Sequence, residues 1–407
     1  MTDSVTSSLM TSPFAAAVRP PRRRGRRDAR RSLGAAALIT SALIALTGCS
    51  ATGAAEPADP ASSPASSPAS SPAAALIDTY DLSGAQFSPA VARALPDGTP
   101  FGGISGLEPL GDDRYLGISD DRADKGPARV YRLTLPRTPD GGTGFAQVTG
   151  TILLTDEHGR GFAPGSVDPE SIRAMPDGTL LWTSEGDAEA GIAPEITVAA
   201  EDGRALRRFA IPGYHRPADD GARGVRPNKA YEGLTLFDGG ARAAVLAEGP
   251  LAQDPNAPGA SRTRLTIYDV ASGAAAAEYA YPLDAPPEGT DERGATEILA
   301  TGDGRFLVLE RSWIKGQGTV GKLYLVDTAG ADDVLGAAAL TGSETPVNKT
   351  LLLNFSPNGE NVDNIESLAW APDQADGRQT LLVGSDDNFN TGEQRSLIHT
   401  VAVGLPE

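Results

Sequence analysis

The sequence predicts an all-β chain folded as a β-propeller with six blades, and three observations predict it. Leu76 to Glu407 carry almost no helical periodicity; short apolar runs recur instead, separated by Asp-Gly or Gly-rich turns. One sequence frame returns five times along that stretch. The composition is rich in turn formers, with 47 Gly and 32 Pro against 5% aromatic residues. At 40% apolar residues the chain has ample material for a core.

In chain order, Arg19 to Arg31 form a basic stretch, Leu33 to Leu46 a short apolar one, and Thr47-Gly48-Cys49 end the segment. A basic region, a short apolar region and small residues at the end describe a secretory signal. The apolar run falls short of the ~20 residues that span a bilayer. Leu46-Thr-Gly-Cys49 is similar to a bacterial lipobox, so residues 1–48 read as a lipoprotein signal peptide with Cys49 as the lipidation site. The domain is then expected outside the cytoplasm, anchored to the membrane through Cys49. Ala29-Arg-Arg-Ser-Leu33 is a partial twin-arginine pattern, and the Sec and Tat routes both stay open. Residues 49–75, with a Ser-Ser-Pro-Ala repeat, read as an extended tether. Residues 76–407 are the folded domain.

Charge and composition exclude several functions. Residues 1–48 hold eight Arg and two Asp, so the rest keeps 27 of 35 bases and 51 of 53 acids, a net charge of −24. Nucleic-acid binding needs the opposite sign. One Cys and three dispersed His (His158, His215, His399) disfavour disulfides, thiolate clusters and imidazole metal sites. A strongly acidic chain is expected to be a monomer.

The repeated frame reads acid, aliphatic, turn, strand, acid. It runs from Glu170 through Pro176-Asp-Gly178 to Glu185, and from Glu232 through Asp238-Gly-Gly to Glu248. Glu297 leads through Gly302-Asp-Gly304 to Glu310, and Glu366 through Asp376-Gly377 to Asp386. In the first copy Ser105 replaces the leading acid and Asp120-Asp121 ends the frame. The leading acids are 62, 65 and 69 residues apart (Glu170 to Glu232, Glu232 to Glu297, Glu297 to Glu366). Such hairpins cannot bury their own faces and must stack, and radial stacking gives a propeller. A sixth, degenerate blade is expected at Glu195–Tyr214, with closure between Leu397–Val403 and the region of Tyr80–Phe87.

Equivalent positions in successive blades face a common axis, so Glu170, Glu232, Glu297 and Glu366 are expected to form a ring. Crowded carboxylates take up protons or hold a cation. Oxygen donors without His or Cys select a hard ion, Ca²⁺ or Mg²⁺. Asp386-Asp387-Asn388 with Asp363-Asn364 is a second candidate calcium site. The acids at the frame's end follow strands directly and belong on loops at one end. Asp121-Arg122 and Glu310-Arg311 read as local ion pairs or phosphate clamps. A purely structural role for the repeated acids, bonding backbone N–H groups of the next blade, is the competing reading. Gly316 to Lys322 imitates a phosphate loop, but Leu323 stands where Ser or Thr is required and a strand follows, so it reads as a hairpin.

Asn228-Lys-Ala-Tyr-Glu-Gly-Leu234, Leu307-Val-Leu-Glu-Arg-Ser-Trp313, Lys322-Leu-Tyr-Leu-Val-Asp327, Asn364-Ile-Glu-Ser-Leu368 and Val383-Gly-Ser-Asp-Asp-Asn-Phe389 together resemble the bacterial phytase-like domain family, described as esterase-like activity of phytase. The resemblance covers most of Gln86–Val403 and implies phosphoester or phosphodiester hydrolysis. The expected function is then a surface-anchored, metal-assisted hydrolase of a small phosphoester or other anionic ligand. Glu170, Glu232, Glu297 and Glu366 would hold Ca²⁺, with Asp386 and Asp387 as further ligands. Glu232, Glu297, Arg311 and Lys229 would form the catalytic set, the two cations meeting phosphate. A non-catalytic binding propeller and a calcium-dependent lactonase or esterase are the alternatives, and fold alone does not choose among them.

Overall fold

The computed structural model describes residues 73–405 apart from 88, 303 and 357–360. The signal, Cys49 and the tether up to residue 72 lie outside the described residues. The turns read from the sequence do close hairpins. Gly178 adopts φ +86° and its N–H donates to Met175 O at 2.9 Å, the left-handed corner that glycine accepts without strain.

The strands follow in groups. β1 spans Ala73–Asp81. β2 (Gln86–Phe87), β3 (Ile104–Gly111), β4 (Arg114–Ser119), β5 (Arg129–Thr134) and β6 (Gln147–Leu153) form the first blade. β7 (Pro169–Ala174), β8 (Leu180–Ser184), β9 (Glu195–Ala199) and β10 (Ala205–Arg208) form the second. β11 (Tyr231–Phe237), β12 (Arg242–Ala247), β13 (Arg262–Asp269) and β14 (Ala274–Pro282) form the third. β15 (Thr290–Gly302), β16 (Arg305–Ile314), β17 (Gly318–Asp327) and β18 (Asn348–Asn354) form the fourth. β19 (Asn364–Ala371), β20 (Gln379–Asp386) and β21 (Leu397–Gly404) are joined by β1 in the fifth. The innermost strands β3, β7, β11, β15 and β19 pack in sequence and close a ring.

The propeller therefore has five blades, not six. Glu195–Tyr214, expected as a degenerate sixth blade, supplies β9 and β10 to blade two and then enters a 3-10 turn at Gly213–His215. The segment cannot stand alone because its strands complete the sheet begun by β7 and β8. Closure pairs β21 with β1, placing Tyr80 opposite Ile398 and Asp81 opposite Leu397. That strand begins at Ala73, so its first three residues come from the stretch read as tether. The region near Gln86 instead pairs in parallel with β6 of blade one.

Five apolar cores fill the five seams between blades. Ile104 and Leu133 meet Leu382 and Ile398 between blades one and five. Ile118 and Val130 meet Ile172 and Trp182 between one and two. Similar cores join two to three, three to four, and four to five. Each seam buries side chains from both sheets, each contributing roughly 1.5–3 kcal/mol. The blades thus hold a fixed angle, and their inner edges meet at one place.

Candidate metal centre at the propeller axis

The axial site is built by a bulge repeated in every blade. Where each inner strand pairs with its neighbour the register slips, at Ser105, Glu232, Thr296 and Glu366 and, in blade two, over Glu170-Ser171, with Glu170 at the equivalent position. A bulge leaves its extra residue unpaired and re-aims the side chain. These five positions form an inner ring.

A second ring comes from the residues just beyond the bulge on the neighbouring strand. Asp120, Glu185 and Glu248 donate their N–H groups to Gly103, Asp168 and Ala230 carbonyls at 2.8, 2.9 and 2.7 Å. In the same register, Arg311 stands opposite Gly294 and Asp386 opposite Asn364. Blade four departs from the others in both rings: it offers Thr296 where three blades offer Glu, and Arg311 where four blades offer an acid.

Register also corrects the expected ring of four glutamates. Glu297 lies one residue past the bulge, aligned with Gly106, Ser171, Gly233 and Ser367. A one-residue slip moves a strand side chain to a different surface. Its carboxylate lies below the rings and accepts from Ser171 Oγ at 3.0 Å, Leu234 N at 3.0 Å and Ile298 N at 2.9 Å, and pairs with Arg173 Nη2 at 3.0 Å. Arg173 also donates to Leu107 O at 3.0 Å and Ile172 O at 2.6 Å. Glu297 is 0% and Arg173 2% exposed, so the pair plugs the channel beneath the acidic cup. Glu297 is therefore not among the residues that line the acidic cavity.

Above this plug, Asp120, Asp168, Glu170, Glu185, Glu232, Glu248, Glu366, Arg122 and Arg311 line a cavity of about 760 Å³. Two trios stand out. Ligand oxygens of Asp168, Glu170 and Glu185 lie within 4.8 Å of one another, as do those of Glu185, Glu232 and Glu248. That span fits oxygens about 2.4 Å from a shared Ca²⁺. Glu185 belongs to both trios. Glu232 Oε2, although buried, has no hydrogen-bond partner among the described residues, and neither has Asp120 Oδ1 or Asp386 Oδ1. Buried carboxylate oxygens without donors require a proton or a cation.

The electrostatics agree. Burial and the Glu185 charge push Asp168 up to about 8, against the pull of Arg122. Burial and Glu248 raise Glu185 to about 7, although the Ala230 N–H bonds it. Burial first, then Glu232, raises Glu170; burial, then Glu185 and Glu248, raises Glu232 well above the usual range. Asp120 and Asp386 are raised by burial and then by Glu366 and Asp120, respectively.

Blade four supplies the counter-charge. Arg311 Nη2 lies 2.8 Å from Glu366 Oε1 and 3.5 Å from Glu248 Oε1. Lys229 Nζ lies 2.7 Å from Glu248 and 3.1 Å from Glu292, two acids that line the cup. The expected pairings of adjacent acid and base do not form, because neighbours on an extended chain point apart. Arg122 pairs with Asp187 at 2.8 Å and Asp168 at 3.4 Å, while Asp121 pairs with Arg129 at 2.6 Å. Glu310 turns away from the axis to Lys349 and the Tyr281 hydroxyl, leaving Arg311 to face inward.

Of the expected ligands, Glu170, Glu232 and Glu366 come together. Asp386 joins the outer ring, and the oxygens of Asp387, the next residue, are bonded to protein donors. Asp387 accepts from Gly103 N at 2.9 Å, Phe389 N at 3.0 Å and Ser396 Oγ at 3.0 Å, tying its loop to the start of β3. Asp168, Glu185 and Glu248 join Glu170 and Glu232 in the two trios, beyond the ligands expected from the sequence. Their signal was an acid directly after a frame's second strand and an acid two residues before Glu170. Gly316 lies in the β16–β17 hairpin, as expected.

No curated protein matches the chain. Among solved structures it is similar to the endo-arabinase from Bacteroides thetaiotaomicron, at 9% identity over 76% of this chain and 96% of that one, TM-score 0.42. It is also similar to a hypothetical protein from Leishmania major (12% identity, 79% and 89% covered, TM-score 0.40). A third is regucalcin, a calcium-binding protein from Agrobacterium tumefaciens (14% identity, 74% and 76% covered, TM-score 0.34). At these scores the likenesses carry no argument about chemistry. The family model phytase-like, esterase-like activity of phytase, matches residues 99–389. On a match over most of its length, with the frame glutamates inside it, the chain belongs to the phytase-like family.

Proposed function

We propose that the axial cup is a divalent-cation site that hydrolyses a phosphoester. One observation carries the reading: two carboxylate trios share Glu185, and a lone guanidinium, Arg311, lies at the same level in the ring. Asp168, Glu170 and Glu185 would hold one cation, and Glu185, Glu232 and Glu248 another, with Ca²⁺ the favoured ion for an all-oxygen set. Bound cations of this type polarise a phosphoryl oxygen and acidify water. Arg311 presents a fixed cation to a phosphoryl oxygen, its position set by Glu366 and Glu248. Lys229 holds Glu248 against the wall and adds positive charge beside it. Export and anchoring through Cys49 belong to the same proposal, supported by the tetrad Leu46–Cys49.

The test is hydrolysis of p-nitrophenyl phosphate and bis(p-nitrophenyl) phosphate with and without Ca²⁺ or Mg²⁺. Divalent-dependent turnover is expected, reduced about 100-fold or more in Glu185→Gln and Glu232→Gln. Calorimetry should show cation binding weakened in the same variants. Cation binding and turnover that survive both substitutions would overturn the reading. Binding without turnover would leave a cation-dependent binding propeller.

A further inference from the structure

Blade four's second strand outruns its counterparts. β4, β8 and β12 end one residue before the outer ring and β20 ends on it, whereas β16 continues past Arg311 to Ile314. β17 follows it, pairing Gly321 with Arg311 and Thr319 with Trp313, and β15 sets Glu292 against Trp313 on the other side. The blade thus raises a short ribbon beyond the ring. Side chains alternate along a strand, so Arg311 and Trp313 share a face, about 7 Å apart along the chain. Both line the axial cup.

Trp313 is unlike the chain's other two tryptophans. Trp182 is 1% exposed and packs edge-on against Phe162, and Trp370 Nε1 donates to Ala300 O at 3.2 Å. Trp313 is 40% exposed, with no ring partner and no acceptor for Nε1 among the described residues. A single exposed apolar residue is ordinary on a protein surface. The setting of this one is not. Among the described residues it is the one apolar side chain lining a cavity otherwise walled by charged and polar groups and Gly318. The groups around it are held in place. Asn361 Oδ1 accepts from Thr319 N at 3.0 Å and Asp363 N at 3.1 Å, and Glu292 pairs with Lys229 at 3.1 Å. The indole therefore offers its surface from a braced wall, one side-chain step beyond Arg311.

We infer that Trp313 is the platform for the organic part of the ligand, and that this part is a flat aromatic ring. This rests on the axial cup being the cation-dependent phosphate site. A phosphoryl group held by the cations and Arg311 leaves its ester substituent inside the same cup, where the polar walls give it no apolar contact and Trp313 does. A flat ring stacks on an indole face and gains more from it than a flexible chain or a puckered ring. Trp313 acts on binding and orientation, and the phosphate chemistry stays with the groups below it.

The test measures binding of compounds that are not hydrolysed, so that its failure is separable from failure of the hydrolase reading. Calcium-loaded protein is titrated by calorimetry with propylphosphonate, cyclohexylmethylphosphonate and benzylphosphonate. Benzylphosphonate should bind about tenfold tighter than propylphosphonate, the worth of one stacked ring, and tighter than the cyclohexyl compound. Saturating benzylphosphonate should also shield the exposed indole from acrylamide quenching of tryptophan fluorescence. In Trp313→Ala the benzyl-to-propyl ratio should collapse to about one while calcium affinity stays within about twofold of wild type; Trp313→Phe should restore part of the ratio. Equal binding of benzyl- and propylphosphonate by the wild type, a cyclohexyl compound that binds as well as the benzyl one, or a ratio that survives Trp313→Ala overturns the inference. If none of the phosphonates binds, the phosphate site and this inference fall together. A ring preference without phosphoester turnover supports the platform and counts only against the hydrolase reading.

Discussion

Glu232→Gln and Glu297→Gln make the sharpest pair of perturbations, because the two residues share a sequence pattern and differ in register. Glu297 faces Arg173 at 3.0 Å, and both side chains are almost wholly buried. The Gln amide keeps one acceptor but leaves Arg173 charged without a full counter-ion. Breaking a buried pair in this way costs about 3–5 kcal/mol. For a domain of roughly 330 residues, about 2.1 cal/mol/K per residue gives ~0.7 kcal/mol/K at the melting point. The melting temperature should therefore fall by about 4–7 °C. Calcium affinity, read by calorimetry, should stay within about twofold, since Glu297 lies below the rings. Glu232→Gln should do the reverse. It removes one charge from a crowd whose Oε2 has no donor, so the cation-free protein should melt no lower than wild type. Its calcium affinity should drop at least about tenfold. If Glu297→Gln loses calcium binding at an unchanged melting temperature, the register argument is wrong.

Other outcomes follow from the same geometry. Arg311→Gln should abolish phosphoester turnover yet tighten cation binding, because Glu366 and Glu248 lose the cation they now share; turnover assay and calorimetry read the two effects. Gly233→Ala should destabilise by about 1–3 kcal/mol in a denaturant melt, since a Cβ there meets Ile298 N at 2.8 Å and Glu297 C at 3.0 Å. Burial raises Glu108 to about 7 despite Arg173, so its folded state binds a proton that the unfolded chain has released. The associated stability is full below about pH 4 and is lost as pH rises through about 7. In saturating Ca²⁺, melting temperatures measured across that window should decline less steeply for Glu108→Gln. A chain beginning at Leu82 lacks β1 and leaves β21 an open edge; it should fail to give a cooperative melt, whereas one beginning at Ala73 should melt like the full chain.

The sequence carried the architecture well because period and turn chemistry are local. Recurring frames with Gly turns announced stacked hairpins, and each frame did become the inner pair of one blade. The blade count failed on loop length. Long excursions such as the one between Asp327 and Asn348 inflate each blade to about 65 residues, so dividing the domain by a shorter unit produced one blade too many. The site was half legible. Glu170, Glu232 and Glu366 lie at bulges, and they were found by spacing. Glu297 matched the pattern equally well, yet a bulge displaced by one residue depends on strand pairing and leaves no mark on the chain. Asp387 was chosen from a dense run of oxygens, and density did not reveal that three donors already occupy it. Arg311 stands out in the sequence beside Glu310, but its place as blade four's counterpart of Glu185 and Glu248 is set by the register of Gly294 against Arg311.

A ring of equal blades with equal acids would look the same to a ligand after every fifth of a turn, and a bound molecule would have five interchangeable poses. Thr296 and Arg311 remove that degeneracy. With one sector cationic and the opposite sectors anionic, the cup has a polarity across its width, and a small asymmetric molecule can dock in a single sense. Reaction at one chosen bond, rather than at any of several chemically similar ones, would then trace to the blade that broke the repeat.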